Sequence, residues 1–223
     1  MSKNQLVPIK ILILSLLFGT IANAQNEDEN SVPPHYVFSK FTKGVVKLKD
    51  GRVETPMLNY NKLTEEVIFV NNGQNLSLTK LETIDTVTIQ NRKFIPVGKV
   101  FYELVLNTPV SLFIQHKSRM QMAGSEVGYG GTSQVSSTTR ITSLSSSGLV
   151  YNLKLPDDCT IEDDSHNWIR KENQLYPADN ERDIKKVFPL KEAEIKIFFK
   201  ANKLKLKNEA DAIKLVEFLN NLK

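Results

Sequence analysis

One cysteine, one tryptophan and three histidines in 223 residues leave little of the usual equipment of catalysis and cross-linking. Cys159 stands alone, so no disulfide can close within the chain. A chain of this length buries enough apolar surface to do without such staples. The residue reads as a small buried side chain, with a free thiol or an intermolecular link as alternatives. The stretch 124–148 has no lysine, which excludes a Walker-type phosphate loop, where a lysine must neutralise what the backbone amides cradle. A dinucleotide fingerprint begun at Gly128-Tyr129-Gly130 fails at Ser133, where the third glycine belongs. A serine elbow through Gly131-Thr132-Ser133-Gln134 fails at Val135 for want of the last glycine. A general base is also scarce. His35 follows Pro33-Pro34, His116 reads as the polar side of an alternating strand, and only His166 remains.

Charge of one sign is lacking too. The opening residues carry Lys3 and Lys10, an apolar run from Ile11 to Ile21, and Ala22-Asn23-Ala24. That is the order of a secretory leader with cleavage before Gln25. The run falls well short of the ~20 residues of a membrane span. Without residues 1–24, 27 basic residues face 25 acidic ones, a net charge of +2 over 199 residues. So even a balance gives no reason to expect nucleic acid as a partner. No cysteine lies near the cleavage point, which disfavours a lipid anchor. The expectation is an exported chain, periplasmic, envelope-associated or secreted, that does not span the membrane once cleaved. Residues 25–42 read as a linker that becomes ordered near Tyr36–Phe38.

From residue 43 to 178 the pattern is β-rich. Val45–Lys49 alternates toward Asp50-Gly51, a dipeptide suited to a tight hairpin. Further runs follow at 53–60, 66–70, 76–79, 86–90, 94–97, 100–106, 110–117 and 149–155, with turn residues between them. Spacing this close leaves no room for crossover helices, so the pairing should be mainly antiparallel, as a sandwich, roll or barrel-like meander. From 179 to 223 the apolar period becomes 3.6. Asn180 and Asn208 each precede an acid-rich first turn, Pro189 ends the first helix, and Asn202 ends the second. The fold class expected is therefore α+β: a β meander followed by a small C-terminal helical subdomain.

"LNYNKLTEEVIFV", "DTVTIQNRKFIPV", "YGGTSQ" with its Ser/Thr run, and "FPLKEAEIKIFFKANKLKLKNEADAIKLVEFLN" together resemble a family of uncharacterised exported proteins of Bacteroidota. The resemblance covers most of the chain after the leader. It implies export but carries no activity and no catalytic residues. It also implies that Asp85-Thr86-Val87 fits a short O-glycosylation acceptor pattern, although Thr86 reads equally as a strand residue. Asn75-Leu76-Ser77 fits the N-glycosylation triplet, which means little outside a eukaryotic secretory route.

Two places remain as candidate sites. In 124–148, 17 of 25 residues are Gly, Ser or Thr, within a loop 123–148 far longer than an ordinary hairpin of ~2–5 residues. Such a loop is either disordered or a recognition element, in which Tyr129 flanked by Gly128, Gly130 and Gly131 would make the contact. The acidic run "PDDCTIEDDSHNW" supplies Asp157, Asp158, Glu162, Asp163 and Asp164 as oxygen ligands for a hard cation, and Cys159 with His166 would suit a softer metal, although the run matches no calcium loop. A solvated acidic edge is the plainer reading. No catalytic set and no cofactor is expected. The functional expectation is a non-enzymatic binding or structural module, with another envelope protein or a glycan as partner. The alternatives are a hydrolase of envelope polymers, using acids near 157–164 or at Glu65, Glu66 and Glu103, and a carrier of lipid or lipopolysaccharide.

Overall fold

The structure is a computed structural model and describes residues 33–122, 126–127, 131–132, 138–139, 155 and 159–222. The first strands are β1 (Thr42–Lys43), β2 (Val45–Leu48), β3 (Val53–Glu54), β4 (Met57–Asn61), β5 (Glu66–Asn71) and β6 (Gln74–Ser77). Next come β7 (Ile84–Ile89), β8 (Arg92–Val97), β9 (Val100–Leu106), β10 (Ser111–Gln115) and β11 (Ser118–Met122). Three two-residue strands follow, β12 (Glu126–Val127), β13 (Gly131–Thr132) and β14 (Thr138–Thr139). The chain continues through β15 (Cys159–Asp163), β16 (His166–Lys171) and β17 (Gln174–Pro177) to α1 (Glu181–Val187), α2 (Glu192–Asn202) and α3 (Glu209–Asn221).

Among the described residues every strand pair is antiparallel, and no sheet closes into a barrel. An eight-stranded sheet runs β17-β16-β10-β9-β8-β7-β2-β3, and a four-stranded one runs β1-β4-β5-β6. Smaller sheets join β14-β11-β15 and β12-β13. The fold is α+β with its helices at the C-terminal end, as the change of period implies.

The run 53–60, read as one strand, divides at Thr55-Pro56. β3 pairs with β2 in the large sheet and β4 pairs with β1 and β5 in the small one. Proline cannot donate to a ladder, so the chain changes sheets there. The reverse crossing, from β1 to β2, is made at Gly44. A Cβ at that position would lie 2.6 Å from both the Thr88 carbonyl oxygen and Leu58 Cδ1. Gly44 N–H donates to the Pro56 carbonyl at 2.9 Å, which ties the two crossings together.

One face of the large sheet carries both cores. Cross-strand partners share a face, so Val46, Val87, Phe94 and Glu103 align across β2, β7, β8 and β9, and Ile114 follows on β10. Over the β2–β9 part of this face the four-stranded sheet lays Leu58, Tyr60 and Val67, with Phe38 from the preceding segment. Over the β10–β17 part the helices lay Ile184, Ile195, Phe199, Leu215 and Leu219 against Leu112 and Ile169. A bulge at Val105, where Leu104 and Leu106 face successive residues of β10, lets both Val105 and Leu106 meet the helical cluster.

The helix caps are as the sequence implies. Asn180 Oδ1 accepts from Asp183 N at 3.0 Å and Asn208 Oδ1 from Ala210 N at 2.9 Å. α1 ends at Val187 and Pro189 opens a short 3-10 turn, so the proline acts as both stop and restart. Asn220 Oδ1 accepts from Val110 N at 2.8 Å while its amide donates to Val110 O at 3.0 Å. Its side chain thereby mimics a strand and fastens α3 to the sheet.

Candidate functional site

Arg92, Glu103 and His116 are the convergent acid, base and cation among the described residues. Arg92 opens β8, Glu103 lies mid-strand in β9, and His116 follows the last residue of β10. Arg92 Nε donates to Glu103 Oε1 at 2.6 Å and its Nη2 bonds Glu103 Oε2, a two-pronged clamp. His116 Nε2 lies 2.6 Å from the same Oε2 and 2.9 Å from Arg92 Nη2. Tyr60 stacks on Phe94 with ring centroids 5.3 Å apart and meets His116 edge-on at 6.0 Å. The Arg92 guanidinium rests over the Phe38 ring at 5.5 Å. The Tyr60 hydroxyl lies 3.1 Å from the Phe101 carbonyl and 3.2 Å from that of His116, to which it can donate.

The electrostatics follow from this enclosure. Glu103 is 4% exposed, so burial works to raise its carboxyl. The hydrogen bonds and charges of Arg92 and His116 outweigh burial and hold it at about 2. Burial also acts against the Arg92 charge, but the Glu103 carboxylate raises the guanidinium above its ordinary value. Burial, with Glu65 and Glu66 nearby, pushes the Tyr60 hydroxyl well above the ordinary phenol value, so it stays a proton donor. His35 is the buried imidazole among the described residues, His116 being half-buried. It is 1% exposed, its Nδ1 has no hydrogen-bond partner, and burial with the Lys62 charge lowers it to about 4.

The remaining acids are dispersed. Glu65, at a left-handed turn (φ 58°), accepts from Gln115 Nε2 at 2.5 Å and faces Lys117 Nζ at 3.9 Å. Gln115 in turn accepts from Trp168 Nε1 at 3.1 Å. Glu66 is raised by burial against lowering hydrogen bonds from Thr64 and Ser77, and its Oε2 has no partner. The strand-end acids suggested for a hydrolase thus belong to separate networks.

Of the acidic run, Asp157 and Asp158 lie outside the described residues. Glu162 and Asp164 flank Arg119, at 3.5 and 3.7 Å, and Asp163 Oδ1 accepts from Ser165 Oγ at 2.8 Å. An arginine occupies the space between two of the suggested ligands. Among the described residues no three His, Cys, Asp or Glu side chains gather as a metal site. Tyr129, Gly128 and Gly130 also lie outside the described residues, and Gly131 falls in β13. Cys159 is a half-buried free thiol at the start of β15.

On the sequence alone Glu103 groups with strand-end acids and His116 reads as the polar side of its strand. β10 pairs through Gln115, whose face is shared with Phe113, so strand alternation turns the next residue inward with Ile114. The signal was present as period-two parity: Arg92 with Phe94, and Phe101 with Glu103, are charge and aromatic on one side of a strand.

No protein-family model matches this chain, and neither the curated proteins nor the solved structures include a significant match. Among the described residues no helix is long and apolar enough to cross a membrane.

Proposed function

We propose that the chain is an exported, non-enzymatic module of the cell envelope that binds another envelope component or supports the surface. The observation that carries this reading is the Arg92–Glu103–His116 cluster. Its acid, cation and imidazole are spent on one another, on the inward face of the large sheet and against Tyr60. A group that is to exchange protons with a substrate must be within reach of one, and Glu103 is closed in by its own partners. Export is supported by the leader order of Lys3 and Lys10, the 11–21 run and Ala22-Asn23-Ala24. The Tyr129 segment is the contact element of this reading.

The test is to express the full chain in a diderm bacterium and determine its compartment and N-terminus by fractionation and mass spectrometry. Cross-linked envelope partners are then compared with those of a variant lacking residues 126–146. The expected result is a chain beginning at Gln25 outside the cytoplasm, whose partners are lost with the loop. A cytoplasmic chain with its first residues intact, or a deletion that leaves the partners unchanged, would contradict the reading.

A further inference from the structure

α2 has two faces of different character. Ile195 and Phe199 are buried against the sheet. Ala193, Lys196, Ile197 and Lys200 stand at i, i+3, i+4 and i+7, one helical ridge, and all four are exposed. Leu190 lies just before α2, in the 3-10 turn Pro189–Lys191. Leu190 is 93% exposed and Ile197 68%, the two most exposed large apolar side chains among the described residues.

The charge around the ridge is one-sided. Residues 185–207 hold eight lysines and two acids, Glu192 and Glu194. Lys185, Lys186 and Lys191 are neutralised by Glu181, Asp183 and Glu194. Lys196, Lys200, Lys203, Lys205 and Lys207 are exposed and have no ion-pair partner among the described residues. The nearest acids at the start of α3 are Glu209 and Asp211, and Asp211 accepts from the Lys205 backbone N–H.

We propose that this ridge is a peripheral docking surface for an anionic lipid bilayer. Leu190 and Ile197 enter the boundary between headgroups and acyl chains, while Lys196, Lys200 and Lys203 meet lipid phosphates. Aliphatic side chains interspersed with lysines are the composition of an interfacial helix face. The ridge has no aromatic ring on which a sugar or a base would stack. A second copy fits poorly, since the ridge would bring lysines against lysines. The inference stands apart from the export reading, because it rests on residues 190–207 alone.

The experiment uses the chain from Gln25 onward, which keeps every described strand and helix and removes the apolar 11–21 run that would itself bind lipid. Co-sedimentation is measured with vesicles of equimolar phosphatidylglycerol and phosphatidylcholine, and with phosphatidylcholine alone. Binding to the mixed vesicles is expected, weakening as salt rises, with little binding to the neutral ones. Lys196→Gln and Lys200→Gln should each weaken partition about fivefold. Leu190→Ser with Ile197→Ser should weaken it roughly tenfold or more. Absence of binding to the mixed vesicles at low salt would overturn the proposal. So would binding that the Leu190→Ser, Ile197→Ser pair leaves unchanged. If soluble dextran sulfate then captures both forms equally, the lysines serve acidic polymers and not a bilayer.

Discussion

The two halves of the large sheet's inner face are covered by opposite means. Over β2, β7, β8 and β9 a second sheet closes the core, and over β10, β16 and β17 three helices do. The sheet-covered half admits charge and polarity at depth: Glu103, His35, Asn59 and Asn61 are all buried there. The helix-covered half is apolar through Leu112, Ile169, Ile184, Ile195, Leu215 and Leu219, and holds no buried ionisable group among the described residues; its buried amide on this face, Asn167, donates to the Leu206 carbonyl. Local backbone needs explain much of the difference. A helix satisfies its own amides, whereas segments that change sheets leave donors and acceptors to be met by side chains. Asn59 does this for residue 38, accepting from Phe38 N at 3.2 Å and donating to Phe38 O at 2.8 Å. Glu103 occupies the boundary on β9, with Phe101 in one core and Val105 packed against the other. The Arg92–Glu103–His116 cluster is thus a polar tie where the two modes of covering meet.

Substitutions can break that contrast, beginning with the greatest expected loss. Phe94→Ala removes a fully buried ring between Tyr60 and Phe38 and should cost about 4 kcal/mol in denaturant unfolding. Glu103→Gln puts a neutral amide at the buried end of the clamp and leaves the half-buried Arg92 charge without its partner, and a loss of roughly 3 kcal/mol is expected. Gly44→Ala forces a methyl against the Thr88 carbonyl, with about 2 kcal/mol lost. In the helical half, Asn180→Ala and Asn208→Ala should each cost about 1 kcal/mol by removing a cap.

Acid should act on the sheet-covered half in two stages. Folding lowers His35 from 6.5 to about 4, so the folded state binds its proton less readily than the unfolded state. Stability is then full above pH 6.5 and declines as the pH falls toward 4. Glu103 is lowered from 4.5 to about 2, so its contribution is full above 4.5 and lost as the pH falls toward 2. Urea midpoints measured from neutral pH downward should show both limbs, and His35→Gln should remove the first.

Much of this architecture was legible. Turn pairs such as Asn72-Gly73, with φ of 49° and 75°, marked hairpins, and the two asparagine caps marked helices. The period of α3 gave a stripe of Ile213, Val216 and Leu219 widened by Ala212, Leu215 and Leu222; Ala212, Leu215, Val216 and Leu219 are the buried ones, and Ile213 is half-buried. Strands β15, β16 and β17 were missed because charged and polar residues fill much of them. The division at Thr55-Pro56 was missed because both pieces alternate alike, and only the partner strands separate them. Arg92, Glu103 and His116 lie in three different strand segments, and no local pattern announces a contact that register alone creates.

The central claim is that the Arg92–Glu103–His116 cluster serves the fold, tying the sheet-covered half to the helix-covered half. Urea unfolding of Glu103→Gln tests it, followed at once by Trp168 fluorescence and by far-ultraviolet helicity. Both probes should move together to a lower midpoint, with roughly 3 kcal/mol lost. A midpoint unchanged or raised would contradict it. That result would mean the buried charges are held at a cost to stability, as in a site kept for function.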